Sequence, residues 1–187
     1  MIGVLALQGN FSSHIQILNK LGHDSKLVKC SKDLEGINGL IIPGGESTTI
    51  TKLIKRENKF VKSIESFSKK YPILGTCAGL ILMSKNSFDD KVLNFGIINI
   101  ESKRNAYGRQ VYSFDTDLNL DYNSKNTSFI ASFIRAPKIS KVGKNVQVIC
   151  NHDGIPVAVK QGMHFATTFH PELQNETLIH QLCFGDG

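Results

Sequence analysis

One cysteine stands where a cysteine can do covalent chemistry. The stretch Ile73-Leu74-Gly75-Thr76-Cys77-Ala78-Gly79-Leu80 reads as a buried strand that turns sharply into a helix, with small residues, Gly75 and Gly79, on either side of Cys77. A thiol held there sits at a helix N-terminus, where the positive end of the helix dipole favours the thiolate, the nucleophilic form. The pattern predicts that Cys77 is the nucleophile of a covalent reaction. The competing reading is a buried cysteine acting as a small hydrophobe. Cys30, Cys150 and Cys183 lack this context and are expected to be structural.

A cysteine nucleophile needs a base, and six histidines are available: His14, His23, His152, His164, His170 and His180. In Phe169-His170-Pro171-Glu172-Leu173, Pro171 fixes the backbone between the histidine and the acid. Residues two apart in an extended segment point the same way. Glu172 can then hold the tautomer and ring angle of His170, as the third member of a triad does. His164 is the rival base, without an adjacent acid. A third stretch, Pro43-Gly44-Gly45-Glu46-Ser47-Thr48-Thr49, is glycine-rich but lacks the Gly-Lys-Ser/Thr ending of a phosphate loop. Paired glycines let backbone N–H groups turn toward a ligand, as an oxyanion hole requires. The same stretch also reads as a turn with Ser47 or Thr48 as helix N-cap.

The elements around these stretches alternate. Ile2 to Leu7 reads as a short buried strand, and Lys26 to Lys29, Gly39 to Ile42 and Pro72 to Leu74 as further short strands. Ser12 to Leu21, stopped by Gly22, Thr48 to Ile54, Phe60 to Phe67 and Ala78 to Ser84 read as helices. That order predicts a single α/β domain over residues 1–187, with a mostly parallel central sheet flanked by helices. Strand C-termini then line one edge, where ligands usually bind. The second half is richer in strands, with candidates at Val111 to Phe114, Phe129 to Ile134, Val146 to Cys150, Pro156 to Val159 and Met163 to Phe169. Asp153-Gly154 suits a primed hairpin turn, and the polar run Asp115 to Ser128 reads as a loop or irregular hairpin.

Composition narrows the setting. The chain has 187 residues, 41% hydrophobic and 20% charged, ordinary for a globular domain with a substantial core. The opening MIGVLALQGN lacks the basic region and length of a signal peptide, and no apolar run approaches a membrane span. The four cysteines show no CxxC and no zinc-ligand spacing, so no metal is expected. These features predict a cytoplasmic protein with reduced thiols. The formal charge is +6, yet Lys52, Lys55, Lys59 and Lys62 are spaced as on the outer face of a helix. Without an aromatic-and-basic motif they suit a solvated face or a docking patch, not nucleic acid.

Gly75-Thr76-Cys77-Ala78-Gly79, Phe169-His170-Pro171-Glu172 and Pro43-Gly44-Gly45-Glu46-Ser47 together resemble the triad (class I) glutamine amidotransferases. Arg104-Asn105-Ala106-Tyr107-Gly108-Arg109-Gln110, Phe133-Ile134-Arg135-Ala136-Pro137 and the opening Gly3-Val4-Leu5-Ala6-Leu7-Gln8-Gly9 resemble, more narrowly, the glutaminase subunits of pyridoxal 5′-phosphate synthase. The resemblance implies a flavodoxin-like class I amidotransferase architecture. It implies Cys77 as nucleophile, His170 as acid/base and Glu172 as its orienter, with oxyanion donors at the N–H groups of Gly45 and Ala78. Gly45, Glu46, Ser47, Arg104, Ile134 and Arg135 would line the glutamine site, either arginine being able to meet an acidic group of the substrate. No cofactor is implied. The implied partner is a barrel-shaped synthase subunit in a large hetero-oligomer, which takes the ammonia and makes pyridoxal phosphate from a pentose phosphate and a triose phosphate. Tyr107 departs from the phenylalanine usual in such subunits, and their final helix is usually longer than the stretch from Glu176 to Cys183. The alternatives are a glutaminase serving another synthase, such as that of imidazole glycerol phosphate, and a silent binding module of the same fold.

Overall fold

The structure, a computed structural model, describes residues 1–104 and 113–187. Its first half interleaves β1 (Ile2–Leu5), α1 (Phe11–Lys20), β2 (Ser25–Val28), β3 (Leu40–Ile42), α2 (Ser47–Lys55), α3 (Asn58–Ser68), β4 (Ile73–Thr76) and α4 (Ala78–Met83). Strands dominate the second half: β5 (Ser84–Asn86), β6 (Ile98–Lys103), β7 (Ser113–Tyr122), β8 (Lys125–Ile134), β9 (Lys138–Val142), β10 (Gln147–His152), β11 (Ile155–Gln161) and β12 (His164–Thr167), before α5 (Leu178–Phe184). Among the described residues nine strands make one mixed sheet, ordered β2-β1-β3-β4-β12-β11-β10-β7-β8. From β2 to β12 every pairing is parallel. From β12 to β8 every pairing is antiparallel. The expected parallel core is there, and the strand-rich second half extends it.

The inner parallel strands β1, β3 and β4 are buried along their whole length and largely apolar because both faces are covered, whereas the edge strand β2 carries Ser25 and Lys26 and buries only Val28. Successive residues feed opposite layers. Leu5, Leu40, Ile42 and Ile73 pack with Ile50, Ile54, Phe60, Ile64 and Leu80 from α2, α3 and α4. Val4, Ile41 and Leu74 face the other way, packing with Leu18 of α1 and Ile179 of α5. Gly22 stops α1 with φ +79 and Gly154 closes the β10–β11 turn with φ +75, left-handed values that favour glycine.

Several expectations need correction. The polar run from Asp115 to Ser128 is a regular hairpin: β7 and β8 pair residue for residue from Ser113↔Ile134 to Tyr122↔Lys125. Leu118 and Leu120 are buried while Asp117, Asn119 and Asp121 are exposed, so the run alternates with period two. Asn123 (φ 51) and Ser124 (φ 61) form its turn, both left-handed as a type I′ turn needs. Lys52 and Lys55 lie on α2 but Lys59 and Lys62 on α3, so the exposed lysines share no single helix. The Glu57 carboxylate, at the start of α3, accepts hydrogen bonds from the Ser31 amide and hydroxyl. Strands β5, β6 and β9, which form a separate small sheet, have no counterpart among the sequence expectations. Val111 and Tyr112 of the expected strand Val111 to Phe114, and the motif residues Asn105 to Gln110, lie outside the described residues. No helix among the described residues is long and apolar enough to cross a membrane.

Candidate active site

Four strand ends meet at one edge of the parallel core. The loop after β1 brings Gln8, Gly9 and Asn10, the loop after β3 brings Gly44 to Ser47, the end of β4 delivers Cys77, and the segment after β12 delivers His170. Together with Arg104 and the Ile134-Arg135 pair they enclose a cavity of about 310 Å³. That lies at the small end of ligand sites and suits an amino acid.

Cys77 caps α4 in a conformation rare for a residue with a side chain, φ 50 and ψ −102. Its amide donates to the Thr167 carbonyl at 2.8 Å, which pins the elbow to β12. The flanking glycines allow close packing and are not used for positive φ. A Cβ on Gly79 would lie 1.9 Å from the Ile42 carbonyl oxygen, and one on Gly75 would lie 2.7 Å from the Gly79 carbonyl carbon. Helix α4 can therefore press against β3 and β4 and hold the sulfur in the cavity. The sulfur lies 3.9 Å from the Ile134 carbonyl oxygen at the end of β8.

His170 is held from two sides. Its amide donates to the Ser132 carbonyl at 2.8 Å, and Nδ1 lies 2.7 Å from Glu172 Oε1. The acid follows Pro171 in a 3₁₀ turn and is buried. Burial opposes the charged imidazole, but hydrogen bonds to Cys77 and Glu172 and the Glu172 charge outweigh it, raising the His170 pKa to about 10. Burial likewise opposes the Glu172 carboxylate, and its interactions with His14 and His170 hold it below the ordinary carboxylate range. With Nδ1 engaged by the acid, the other ring nitrogen is the one left for Cys77. His164 sits on β12 with Nδ1 accepting from the Ile73 amide at 3.2 Å, away from this cavity. Burial pushes the Cys150 thiol up to about 12 and raises that of Cys183 as well, which leaves both weakly nucleophilic.

The glycine-rich loop is braced at each end. The Gly44 amide donates to Thr76 Oγ1 at 3.1 Å, and the Glu46 amide donates to Gln8 Oε1 at 2.7 Å. Close approach explains both glycines: a Cβ on Gly44 would meet the His170 ring at 2.2 Å, and one on Gly45 the Gln8 oxygen at 2.5 Å. The amides of Gly45 and Ala78 have no acceptor among the described residues. The N-cap of α2 is Glu46, not Ser47 or Thr48 as the sequence suggested. Ser47 Oγ is buried at the cavity wall without a partner among the described residues. Arg104 donates to Glu46 Oε1 at 2.5 Å and to Asp89 Oδ2 at 2.8 Å, so its charge is committed to two acids. Arg135 is exposed, has φ 43 and forms no ion pair with a described residue.

The sequence reading overlooked Gln8, Thr76, Asp89 and the buried pair His14 and His180. Gln8 lies in a quoted stretch, Gly3 to Gly9, but no local rule distinguishes a glutamine that props a neighbouring loop. His14 occupies a buried position of an amphipathic helix, a signal that a polar residue there has partners.

Comparison with known proteins shows the family. Residues 4–184 match the family described as the SNO glutamine amidotransferase family. The chain is 42% identical over 180 residues to the pyridoxal 5′-phosphate synthase subunit PdxT of Thermotoga neapolitana, covering 96% of this chain and 95% of that protein. It is 46% identical to the subunit of the same name from Oenococcus oeni, covering 96% and 93%. A crystal structure described as a glutamine amidotransferase superposes with a TM-score of 0.89 at 38% identity, over 96% of this chain and 95% of the other. The structure of PurLQS from Thermotoga maritima shares the fold with a TM-score of 0.71 at 16% identity, over 97% and 95%. With the class I amidotransferase fold and a match along nearly its whole length, the chain belongs to the SNO glutamine amidotransferase family.

Proposed function

We propose that residues 1–187 act as one glutaminase domain that hydrolyses L-glutamine to L-glutamate and ammonia through Cys77, His170 and Glu172. The ammonia passes to the synthase subunit of a pyridoxal 5′-phosphate synthase, in a hetero-oligomer of the cytoplasm. The observation that carries this reading is the juxtaposition at one sheet edge of a cysteine at φ 50 and a histidine 2.7 Å from a buried carboxylate. The names of the relatives from Thermotoga neapolitana and Oenococcus oeni supply the partner.

The reaction runs in two acyl transfers. The Cys77 sulfur attacks the side-chain amide carbon of glutamine, and the charge that develops on oxygen is met by the amides of Gly45 and Ala78. His170 gives its proton to the nitrogen, the C–N bond breaks and ammonia leaves a γ-glutamyl thioester. Water then attacks the thioester while His170 takes a proton, and glutamate leaves with the thiol restored. Glu172 keeps the imidazole in the tautomer that presents its other nitrogen to sulfur. Since Arg104 is bound to Glu46 and Asp89, its role is to set the Glu46 side of the pocket. Arg135 is the guanidinium we assign to the α-carboxylate of the substrate.

The test is to mix the chain with a pyridoxal phosphate synthase subunit and glutamine, follow glutamate and pyridoxal phosphate, and label with a glutamine-analogue electrophile. Both products should form and the label should sit on Cys77. A chain that binds the synthase but neither releases glutamate nor takes the label is a silent module. A chain that releases glutamate but feeds no pyridoxal phosphate synthesis serves another synthase.

A further inference from the structure

Behind the triad lies a buried polar chain that the mechanism above does not use. His14 projects from α1 and is fully buried, as is His180 of α5. The His14 ring touches both arms of the site. Its Nε2 lies 3.6 Å from Glu172 Oε1 and 3.3 Å from Thr76 Oγ1, the oxygen that receives the Gly44 amide. Its Nδ1 lies 2.8 Å from His180 Nε2. Among the described residues Glu172 Oε2 has no hydrogen-bond partner, so the orientation of this carboxylate depends on what meets Oε1.

The protons on this chain can be assigned. If His14 carries its proton on Nε2, it directs a donor at both Glu172 Oε1 and Thr76 Oγ1. Nδ1 must then accept from His180 Nε2–H, which leaves His180 Nδ1 as a bare lone pair. His180 Nδ1 is indeed buried without a partner among the described residues. The opposite assignment would aim a lone pair at a carboxylate and strand an N–H in the core, the costlier orphan. Burial lowers the pKa of both histidines, so the donor near Glu172 is uncharged and leaves the negative charge of the acid for His170.

Resting on the glutaminase reading, we propose that His14 is a positioning residue for this reaction. It is a neutral imidazole donor that fixes the Glu172 carboxylate and the Thr76 hydroxyl together, with His180 holding its tautomer. One ring thus couples the acid of the triad to the strand that anchors the oxyanion loop. The titratable groups facing Glu172 are His170 from its own turn and His14 from α1, with Cys77 and His180 one contact further away.

The test uses His14→Leu, which keeps bulk and removes the donor, and His14→Gln, whose amide can place an N–H near the same position. Glutaminase activity is measured with the synthase subunit present, and the Glu172 carboxyl is titrated by carbon NMR. His14→Leu should lower kcat about tenfold or more, since Glu172 no longer holds the base in register, with KM within about twofold because no substrate contact is lost. Loss of a donor to the charged form should raise the Glu172 titration and move the acid limb of kcat/KM to higher pH by about half a unit or more. His14→Gln should recover most of both changes. If His14→Leu does not fold, His180→Leu, which touches neither Glu172 nor Thr76, should show the same changes to a smaller degree. An unmoved Glu172 titration and wild-type kcat in the folded variant, or a fall in thermal stability alone, overturns the proposal. If the wild-type chain itself releases no glutamate with the synthase present, it is the glutaminase reading that fails, and the NMR titration still decides the role of His14.

Discussion

At the scale of single residues, the site stores strain where its chemistry is proposed to happen. Cys77 sits at φ 50 and ψ −102, a conformation that costs of order 1–3 kcal/mol for a residue with a Cβ. Cys77→Ala keeps that backbone cost and removes the only proposed nucleophile. It should leave unfolding unchanged within about 0.5 kcal/mol and abolish glutamate release. A mutant that still hydrolyses glutamine at the wild-type rate would remove Cys77 from the mechanism. Cys77→Gly relieves the strain, so it should unfold at a higher urea concentration than Cys77→Ala despite the flexibility glycine adds to the unfolded chain; the reverse order would mean the elbow is unstrained. Glu172→Gln should slow hydrolysis less than His170→Ala, because the acid tunes a base whose own proton transfers are worth about 10²–10⁴-fold. Equal losses in kcat would assign Glu172 a different role. These residues are legible in the sequence because each stands in a short motif: an elbow, a His-Pro-Glu and a glycine pair. Their supports are not, because Asp89 reaches Arg104, Gly44 reaches Thr76, Gln8 reaches Glu46 and His14 reaches Thr76 across 15 to 62 positions of chain.

At the scale of elements, the sequence is legible where hydrophobic period speaks plainly and obscure where polar residues carry a strand. The inner parallel strands β1, β3 and β4 are short, mostly apolar buried runs, and their order along the chain fixes which ends share an edge. The β7–β8 hairpin reads as a loop or irregular hairpin because aspartate and asparagine fill its exposed face, although Leu118, Leu120 and Tyr122 keep strict alternation on the other. The short β5 has two exposed residues out of three and is defined by its partner β6 alone, which no local pattern reports. Glycines divide in the same way by what surrounds them. Gly79→Ala would drive a methyl against the Ile42 carbonyl, so α4 must lift from β3 and carry Cys77 with it. We expect a loss of about 1–3 kcal/mol in unfolding free energy together with most of the glutaminase activity. Gly154→Ala meets nothing within 4 Å and suffers only from its φ of +75, so about 1 kcal/mol should be lost with activity intact. If the two variants prove equally active, the position of α4 is not what holds the nucleophile.

At the scale of the whole molecule, buried charge sets the response to pH, and the partner is proposed to set the response to substrate. His14, His164 and His180 have lowered pKa values in the fold, so below an unfolded value of about 6.5 the unfolded chain binds protons that the folded chain refuses. Each therefore removes stability as pH falls from about 7. His170 works in the opposite sense: its pKa is raised to about 10, so its contribution is full below the unfolded value and is lost as pH rises through 10. Three against one, the urea midpoint should fall between pH 7.5 and 5.5; a flat or rising midpoint would mean that the buried histidines protonate without cost. Control by the partner rests on the Gly44–Gly45 peptide. Its neighbours are fixed, Gly44 N–H to Thr76 and Glu46 N–H to Gln8, but among the described residues its own carbonyl accepts only from Asn10 N at a long 3.4 Å, and its N–H, on Gly45, has no acceptor. One peptide can thus turn without disturbing the loop on either side, and glycine imposes no Cβ barrier to the turn. Since an oxyanion donor is worth about 10²–10³ in kcat, its alignment suffices as a switch. Hydrolysis without a receiver would waste glutamine and release ammonia, which gives such a switch a purpose. We expect the isolated chain to be a poor glutaminase, and added synthase subunit, without its sugar substrates, to raise glutamate release by an order of magnitude or more. An unchanged rate would mean that the oxyanion hole is already formed and that the synthase only receives what the glutaminase makes.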